Sequence, residues 1–115
     1  MKKLLLALGL MIAPALAASL VASPAFADDA AITVHLRGHK FYPATITVKA
    51  NQPSMIILYN DDATADEFDS SSLKIEKVVP GHAKGAVRLR PLPPGKYPFM
   101  GEFHAATAQG MVIAE

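Results

Sequence analysis

FYPATITV, residues 41–48, is the clearest strand pattern of the chain, because Ile46 and Val48 alternate with threonine after Pro43. Alternation with a period of two places the apolar side chains on one face of a β-strand. The same period recurs in residues 32–37, 87–90 and 96–100. The pattern therefore indicates several strands that each bury one face.

A continuous apolar run lies among these segments. Residues 55–59 read Met-Ile-Ile-Leu-Tyr, which is typical of a central strand covered on both faces. Proline and glycine mark the turns between strands, at Tyr42-Pro43, Asn51-Gln52-Pro53, Pro80-Gly81 and Pro93-Pro94-Gly95. Short strands spaced about ten residues apart favour a sandwich or barrel over βαβ units.

These patterns predict one all-β domain, a Greek-key β-sandwich of about seven strands. A helical turn fits only within residues 70–79, and the segment is too short for more. The alternation assigns the following residues to the core: Ile32, Val34, Leu36, Ile46, Val48, Ile57, Val87, Leu89, Tyr97 and Phe99.

Residues 1–27 have the pattern of a secretory signal peptide. Lys2 and Lys3 precede an apolar stretch, and Ala25-Phe26-Ala27 provides an A-x-A cleavage site. The apolar stretch is at the lower limit for crossing a bilayer, which disfavours a membrane anchor. We therefore expect cleavage after Ala27, one mature domain of residues 28–115, periplasmic localisation and no stable membrane insertion.

Composition excludes several classes of function. The chain has 11 basic and 10 acidic residues, and loss of Lys2 and Lys3 with the leader changes the net charge from +1 to about −1. We therefore expect no nucleic-acid partner. The absence of cysteine excludes disulfides and cysteine nucleophiles. The serine run at residues 70–72 lacks a nucleophile-elbow motif, and no glycine loop for phosphate is present.

The order of the motifs resembles that of the cupredoxin family. Residues 41–48 are similar to the family's early F-x-P-x-x-I-x-V strand, and residues 57–61, Ile-Leu-Tyr-Asn-Asp, to its strand that ends in Asn and a polar residue. Residues 92–99, Leu-Pro-Pro-Gly-Lys-Tyr-Pro-Phe, look like the L-x-P-G-x-Y-x-F entry to the metal loop. Phe103-His104 and residues 110–113 look like the loop histidine and the closing strand. The resemblance covers roughly residues 31–115.

Two stretches more narrowly resemble the cupredoxin modules that accompany bacterial ferrous-iron permeases. One is Asp66-Glu67-Phe68-Asp69, placed where blue copper proteins have a ligand histidine. The other is residues 73–81, Leu-Lys-Ile-Glu-Lys-Val-Val-Pro-Gly, which is similar to an acidic segment of those modules. This resemblance implies an inner-membrane metal permease, or another periplasmic transport component, as the partner.

The resemblance also shows which ligands are missing. A type 1 copper site uses two histidines, a cysteine thiolate and usually an axial methionine. The loop histidine falls on His104, but the cysteine position falls on Gly101. The first histidine position falls on Asp66 or Glu67, and Met111 fits the last strand better than an axial ligand position. We therefore expect no blue electron-transfer site.

Other ligand types lie close to His104 in the sequence. Met100, Glu102 and His104 occupy alternate positions, so a continuous strand would place all three on one face. Together with a carboxylate from the acidic loop, they would form a mixed set that suits copper or iron. We predict one ion, copper being favoured over iron, bound by His104, Met100, Glu67, Asp66 and Glu102.

The other histidines and Glu76 are weaker candidates. His39 precedes the Phe41 element, in a loop that can lie near the metal end of related folds. Glu76 is expected on a strand, where it can simply pair with a lysine. His35 alternates with apolar residues and is expected to face solvent, and His82 is expected in a turn.

Three functions remain open at this point. The first is a periplasmic metal-binding protein, for copper or iron, that serves an uptake system. The second is a ferroxidase-like component, in which bound copper accepts an electron from Fe(II) and passes it to a partner. The third is a metal-free sandwich that serves protein contacts. An enzymatic role belongs to the second function alone.

Overall fold

The computed structural model describes residues 31–115, which form nine β-strands in two sheets. The strands are β1 (Ala31–Arg37), β2 (Lys40–Tyr42), β3 (Thr45–Val48), β4 (Ser54–Asn60), β5 (Asp66–Ser70), β6 (Ile75–Val79), β7 (Ala83–Leu89), β8 (Gly95–Gly101) and β9 (Gln109–Ala114). The predicted all-β sandwich is confirmed, with more strands than the about seven that the turn spacing predicts. The predicted signal peptide and its cleavage site lie outside the described residues.

The first sheet, sheet A, has the order β2-β1-β4-β7. β1 pairs antiparallel with β2 and parallel with β4, and β7 closes the sheet antiparallel to β4. Alternate apolar side chains of these strands face inward and are buried, among them Val34, Leu36, Ile56, Leu58, Val87 and Leu89. The period-two pattern of the sequence thus becomes one wall of the core.

The second sheet, sheet B, has the order β3-β9-β8-β5-β6. β3 runs parallel to β9, and the other neighbours in this sheet are antiparallel. β5 pairs with β8 only at the C-terminal end of β8, where Phe68 is in register with Gly101 and Asp69 with Met100. This short pairing brings residues 66–70 beside the segment that contains His104.

Three phenylalanines fill the core between the sheets near this end. The ring of Phe99 lies 4.6 Å from that of Phe68 and 4.9 Å from that of Phe41, measured between centroids. All three side chains are buried. Stacked and edge-to-face rings at these distances add to the stabilisation from buried apolar area. The cluster therefore gives the site a rigid apolar base.

The prediction that Ile57 belongs to the core is wrong. Ile56 and Leu58 are buried, whereas Ile57 is half-buried on the outer face of sheet A. A continuous apolar run does not reveal which of its two parities faces inward. Ile32 and Tyr97 are only partly buried and pack against the core. The other predicted core residues are buried: Val34, Leu36, Ile46, Val48, Val87, Leu89 and Phe99.

Two local expectations also need correction. Residues 71–74 form a turn that leads into β6, and the one helical element of residues 31–115 lies outside residues 70–79. β8 ends at Gly101, and Glu102–His104 form a 3₁₀ helix instead of continuing the strand. The alternation expected for Met100, Glu102 and His104 is therefore broken. Within residues 31–115, no helix has the length and apolarity needed to cross a bilayer.

Candidate metal centre

Asp66 is a buried carboxylate at the start of β5, with 3% of its surface exposed. Its Oδ1 accepts hydrogen bonds from the backbone N–H groups of Glu67 (2.8 Å) and Phe103 (3.0 Å). Its Oδ2 lies 3.0 Å from Nδ1 of His104. A buried charge is costly unless hydrogen bonds satisfy it, and these partners do so. The same bonds hold the 3₁₀ helix against β5.

Asp66 determines which nitrogen of His104 is free. An ionised carboxylate only accepts hydrogen bonds, so Nδ1 of His104 carries the proton in this pair. The lone pair of the neutral ring is then on Nε2, and 26% of the side chain is exposed. A metal-binding histidine usually donates its other ring N–H to a carboxylate or carbonyl in this way. Asp66 therefore orients His104 for binding through Nε2.

His39 lies against His104 from the turn between β1 and β2. The two ring centroids are 3.6 Å apart, and the ring planes differ by 11°. Gly38 and His39 both have positive φ, 59° and 58°, as in the two-residue hairpin turns that match strand twist. This conformation strains a residue other than glycine. Thr107 helps to hold it, because its hydroxyl donates to the carbonyl of His39 at 2.8 Å.

Asp62 anchors the same turn. Its carboxylate accepts hydrogen bonds from the backbone N–H groups of Gly38 (2.7 Å) and His39 (2.9 Å). Its Oδ2 also lies 3.4 Å from Nδ1 of His39. Burial acts to raise the pKa of Asp62, but these N–H groups and the charges of His39 and His104 outweigh burial and hold that pKa below its usual value. Asn60, buried at the end of β4, accepts the N–H of Asp62 at 3.0 Å.

The two imidazoles do not point at a common position. An ion bound to an imidazole lies in the plane of the ring, so two rings stacked 3.6 Å apart direct their lone pairs side by side. In the observed arrangement, a single ion could therefore be bound by only one of these rings. Nδ1 of His39 is buried and makes no hydrogen bond, since its 3.4 Å contact with Asp62 is not aligned as one. It is a nitrogen without a hydrogen bond that lies beside the Asp66–His104 pair.

A second group of charged side chains lies on the outer face of sheet B. Carboxylate oxygens of Glu67, Asp69 and Glu76 come within 4.8 Å of one another, and Asp69 is in register with Glu76 across β5 and β6. A hydrogen bond with Glu102, followed by burial and the nearby negative charges, raises the pKa of Glu67 to about 7. We call Glu67, Asp69, Glu76 and Glu102 the outer carboxylate group.

Because alternate side chains of a strand point to opposite faces, the predicted ligands are divided between the inner end that holds His104 and the outer carboxylate group. In β5, Asp66 points inward and Glu67 outward, so they cannot serve one ion together. Met100 is exposed on the outer face, in register with Asp69. The structure thus brings Asp66 together with His104. It places Glu67, Glu102 and Met100 on the outer side, and their roles as ligands stay predictions.

The ligand atoms present suit Cu(II) or iron but not a type 1 copper centre. A type 1 copper centre does not fit, because the chain has no cysteine to supply a thiolate. Imidazole nitrogen and carboxylate oxygen fit Cu(II) or iron, for which both are common ligands. The unsatisfied Nδ1 of His39 shows that the same end of the sandwich has a further nitrogen donor.

Comparison with known proteins identifies the family. Residues 7–114 match the Cupredoxin-like domain, so this chain belongs to the cupredoxin-like family, as the order of its motifs predicts. The uncharacterized protein RP394 of Rickettsia prowazekii (strain Madrid E) is 39% identical over 82 residues, which cover 71% of this chain and 66% of that protein. The match thus spans slightly less than two thirds of the relative's length.

Solved structures share the fold at low sequence identity. The metal-binding domain of the Cu(I)-exporting P-type ATPase CopA of Streptococcus pneumoniae D39 is 15% identical with a TM-score of 0.67, covering 74% of this chain and 84% of that chain. Auracyanin A, a blue copper protein of Chloroflexus aurantiacus, is 15% identical with a TM-score of 0.63, covering 74% and 98%. A mutant of amicyanin in the Cu(I) form is 19% identical with a TM-score of 0.61, covering 74% and 82%. These values establish the cupredoxin fold.

The sequence makes His39 only a weaker candidate and does not single out Asp62. The structure places both beside His104. A usable signal was present, because Gly38-His39 separates two strand patterns by the two residues of a tight hairpin. A tight hairpin points its turn residues at one end of the sheet. Which loops share that end depends on strand order, which the alternation does not encode.

Proposed function

We propose that the protein is a periplasmic cupredoxin-like protein that binds one copper or iron ion and serves the transport of that metal. His104 is the central ligand, through Nε2, and Asp66 orients it. One observation carries the proposal. A buried carboxylate with 3% exposure is hydrogen-bonded to Nδ1 of a histidine that remains partly exposed, which is the arrangement of metal-binding histidines.

The chemistry suits a protein that must release its ion. A single oriented imidazole without thiolate gives moderate affinity, and solvent access to His104 leaves room for a partner's ligands. An inner-membrane metal permease is the proposed recipient, on the strength of the resemblance of residues 66–69 and 73–81. Periplasmic location follows from the leader pattern of residues 1–27, and N-terminal sequencing of exported protein should begin at Asp28.

The outer carboxylate group is a second candidate site for the same function. Oxygens of Glu67, Asp69 and Glu76 lie within 4.8 Å of one another, and carboxylates favour harder ions such as iron over Cu(I). Met100 would add a thioether from the neighbouring strand. The predicted ligands Met100, Glu67 and Glu102 would act here, not at His104.

Calorimetric titration of Cu(I), Cu(II) and Fe(II) separates the two sites. His104→Ala should weaken binding at least tenfold, which corresponds to about 1.4 kcal/mol, and Asp66→Asn should weaken it less. Glu67→Gln and Met100→Ala should leave it unchanged. His82→Asn is the matched control, because His82 lies in a turn with φ of 54° that asparagine tolerates. Binding should also weaken at low pH, since an imidazole must be neutral to bind a metal.

The outcomes are distinct. Loss of binding in Glu67→Gln with normal binding in His104→Ala would move the site to the outer carboxylate group. Wild-type protein that binds none of the three ions would overturn the proposal and leave a role in protein contacts. If wild type does bind one of the ions, metal analysis of protein purified from the periplasm would identify the natural one.

A further inference from the structure

Gly101, the last residue of β8, has no room for a side chain. A Cβ built on it would lie 2.6 Å from Oδ2 of Asp66 and 2.8 Å from Cβ of Ala108, closer than real Cβ atoms approach their neighbours. Ala108 is fully buried, and its carbonyl accepts the N–H of Gly101 at 2.8 Å. Asp66 is held by His104 and by two backbone N–H groups. Neither neighbour can move aside cheaply.

The backbone of Gly101 does not itself require glycine. Its φ of −89° and ψ of 103° are in the extended region that any residue adopts. The glycine is therefore explained by space and not by conformation. What fills that space on one side is the carboxylate that orients His104.

We propose that Asp66 and Gly101 are an exchange pair, in which the Asp66 carboxylate occupies the position that a side chain at residue 101 would take. A side chain at residue 101 and the Asp66–His104 hydrogen bond exclude each other. Gly101 is thus the residue that commits the site to an imidazole oriented by a carboxylate and closes it to a ligand from residue 101. The consequence for metal ligands rests on the proposed function, whereas the steric exclusion between Asp66 and a side chain at residue 101 does not.

The first test compares two glycines of the same strand. Gly101→Ala should destabilise the metal-free protein strongly and abolish the ring N–H signal of His104 bonded to Asp66 in nitrogen-15 NMR. Gly95→Ala is the matched control, because a Cβ at Gly95 would meet Tyr97 at ordinary contact distances of 3.5–3.7 Å. Equal thermal midpoints for the two variants, with the His104 signal kept in Gly101→Ala, would overturn the exchange pair.

The second test removes both neighbours. The double change Asp66→Ala and Ala108→Gly is made both in wild type and in Gly101→Ala, and urea titration gives the folded-to-unfolded ratio of each protein. The double change should lower this ratio at least tenfold less in Gly101→Ala than in wild type. Additive effects would contradict the proposal, since independent sites show no coupling. This cycle uses metal-free protein throughout.

The third test asks for a new ligand. With Cu(II), Gly101→Cys alone should show no intense thiolate-to-copper absorption, whereas Gly101→Cys combined with Asp66→Ala and Ala108→Gly should show it. The thiolate-to-copper band in Gly101→Cys alone, or its absence from a folded triple variant, would overturn the claim that Asp66 closes the site to a ligand from residue 101. If wild type binds no ion but the glycine comparison and the coupling hold, the proposed function fails and the exchange pair stands.

Discussion

Asp66 and Glu67 are adjacent in the chain but lie in opposite electrostatic surroundings. Asp66 points into the end of the sandwich, where N–H groups and an imidazole satisfy its oxygens. Glu67 points to the outer face, where its nearest charged partners are other carboxylates. The inner end thus compensates its negative charge and the outer face concentrates it. Neighbouring residues of a strand point to opposite faces, so one step along β5 moves a carboxylate from the compensated inner end to the acidic outer face.

The two regions also respond to protons in opposite senses. At the inner end, backbone N–H groups overcome burial and hold the pKa of Asp62 below its usual value. On the outer face, the hydrogen bond to Glu102 raises the pKa of Glu67 to about 7. Folding therefore favours the ionised form of Asp62 and the protonated form of Glu67. The inner end is organised for negative charge, whereas the outer face favours a proton on Glu67.

The largest effect should come from the apolar base under the inner end. Phe68 continues the inward parity of Asp66 and packs against Phe99 and Phe41. Phe68→Ala should cost about 4 kcal/mol of unfolding free energy, because it removes a buried ring and leaves a cavity. Urea denaturation measures this loss. Val78→Ala, at a half-exposed position of β6, is the control and should change stability by less than about 0.5 kcal/mol; similar losses for both would contradict the assigned parity.

A smaller but still large effect should separate two acids of β5. Asp66→Asn keeps the shape, and its oxygen can still accept from the two backbone N–H groups, but it removes the charge and turns an N–H₂ group toward Nδ1 of His104, so it should cost about 3 kcal/mol. Asp69→Asn has the same chemistry on the outer face and should be neutral or slightly stabilising, since it relieves repulsion within the outer carboxylate group. The measurement is the free energy of unfolding at neutral pH. Equal losses would show that the inner hydrogen bonds contribute nothing special.

A moderate effect should follow from releasing the hairpin turn. Asp62→Asn weakens the bonds to Gly38 and His39 and should cost about 1 kcal/mol. Because the folded-state pKa of Asp62 is lowered, its contribution is present above the unfolded pKa and is lost as pH falls through the folded value. The wild-type protein should therefore lose this increment in acid, and Asp62→Asn should not. NMR ring shifts of His39 and His104 report whether the stack persists.

The sequence predicts much of this fold and less of this site. Alternation around Ile46 and Val48 identifies strands with the correct inward face, because one face is polar. It fails at Ile57, where both parities are apolar and only the pairing with β1 and β7 decides. Motif order points to His104 and to either Asp66 or Glu67, and the alternation of β5 in the structure separates the two acids. The placement of Glu102 does not follow from the sequence, since the chain leaves β8 at Gly101, where Phe103 and His104 bond to Asp66, a residue distant in sequence.

The smallest predicted effect concerns the outer carboxylate group. The pKa of Glu67 is raised to about 7, above its usual value of 4.5. Since folding favours the protonated form, its stabilisation is complete below the unfolded pKa and is lost as pH rises through about 7. The thermal midpoint of wild type should therefore fall over this range. The change should be modest and should shrink in high salt, because the group is close to solvent.

Two variants isolate this contribution from those of the other groups in the protein. Glu67→Gln removes the titrating group, and Glu102→Gln removes the charge that raises its pKa. Both should flatten the pH dependence around neutrality while leaving the acid limb due to Asp62 in place. The relevant quantity is the difference between wild-type and variant midpoints at each pH, in which contributions common to both proteins cancel. A difference that does not change with pH would show that Glu67 titrates as an isolated surface acid, and the contrast between the two faces would then rest on Asp62 alone.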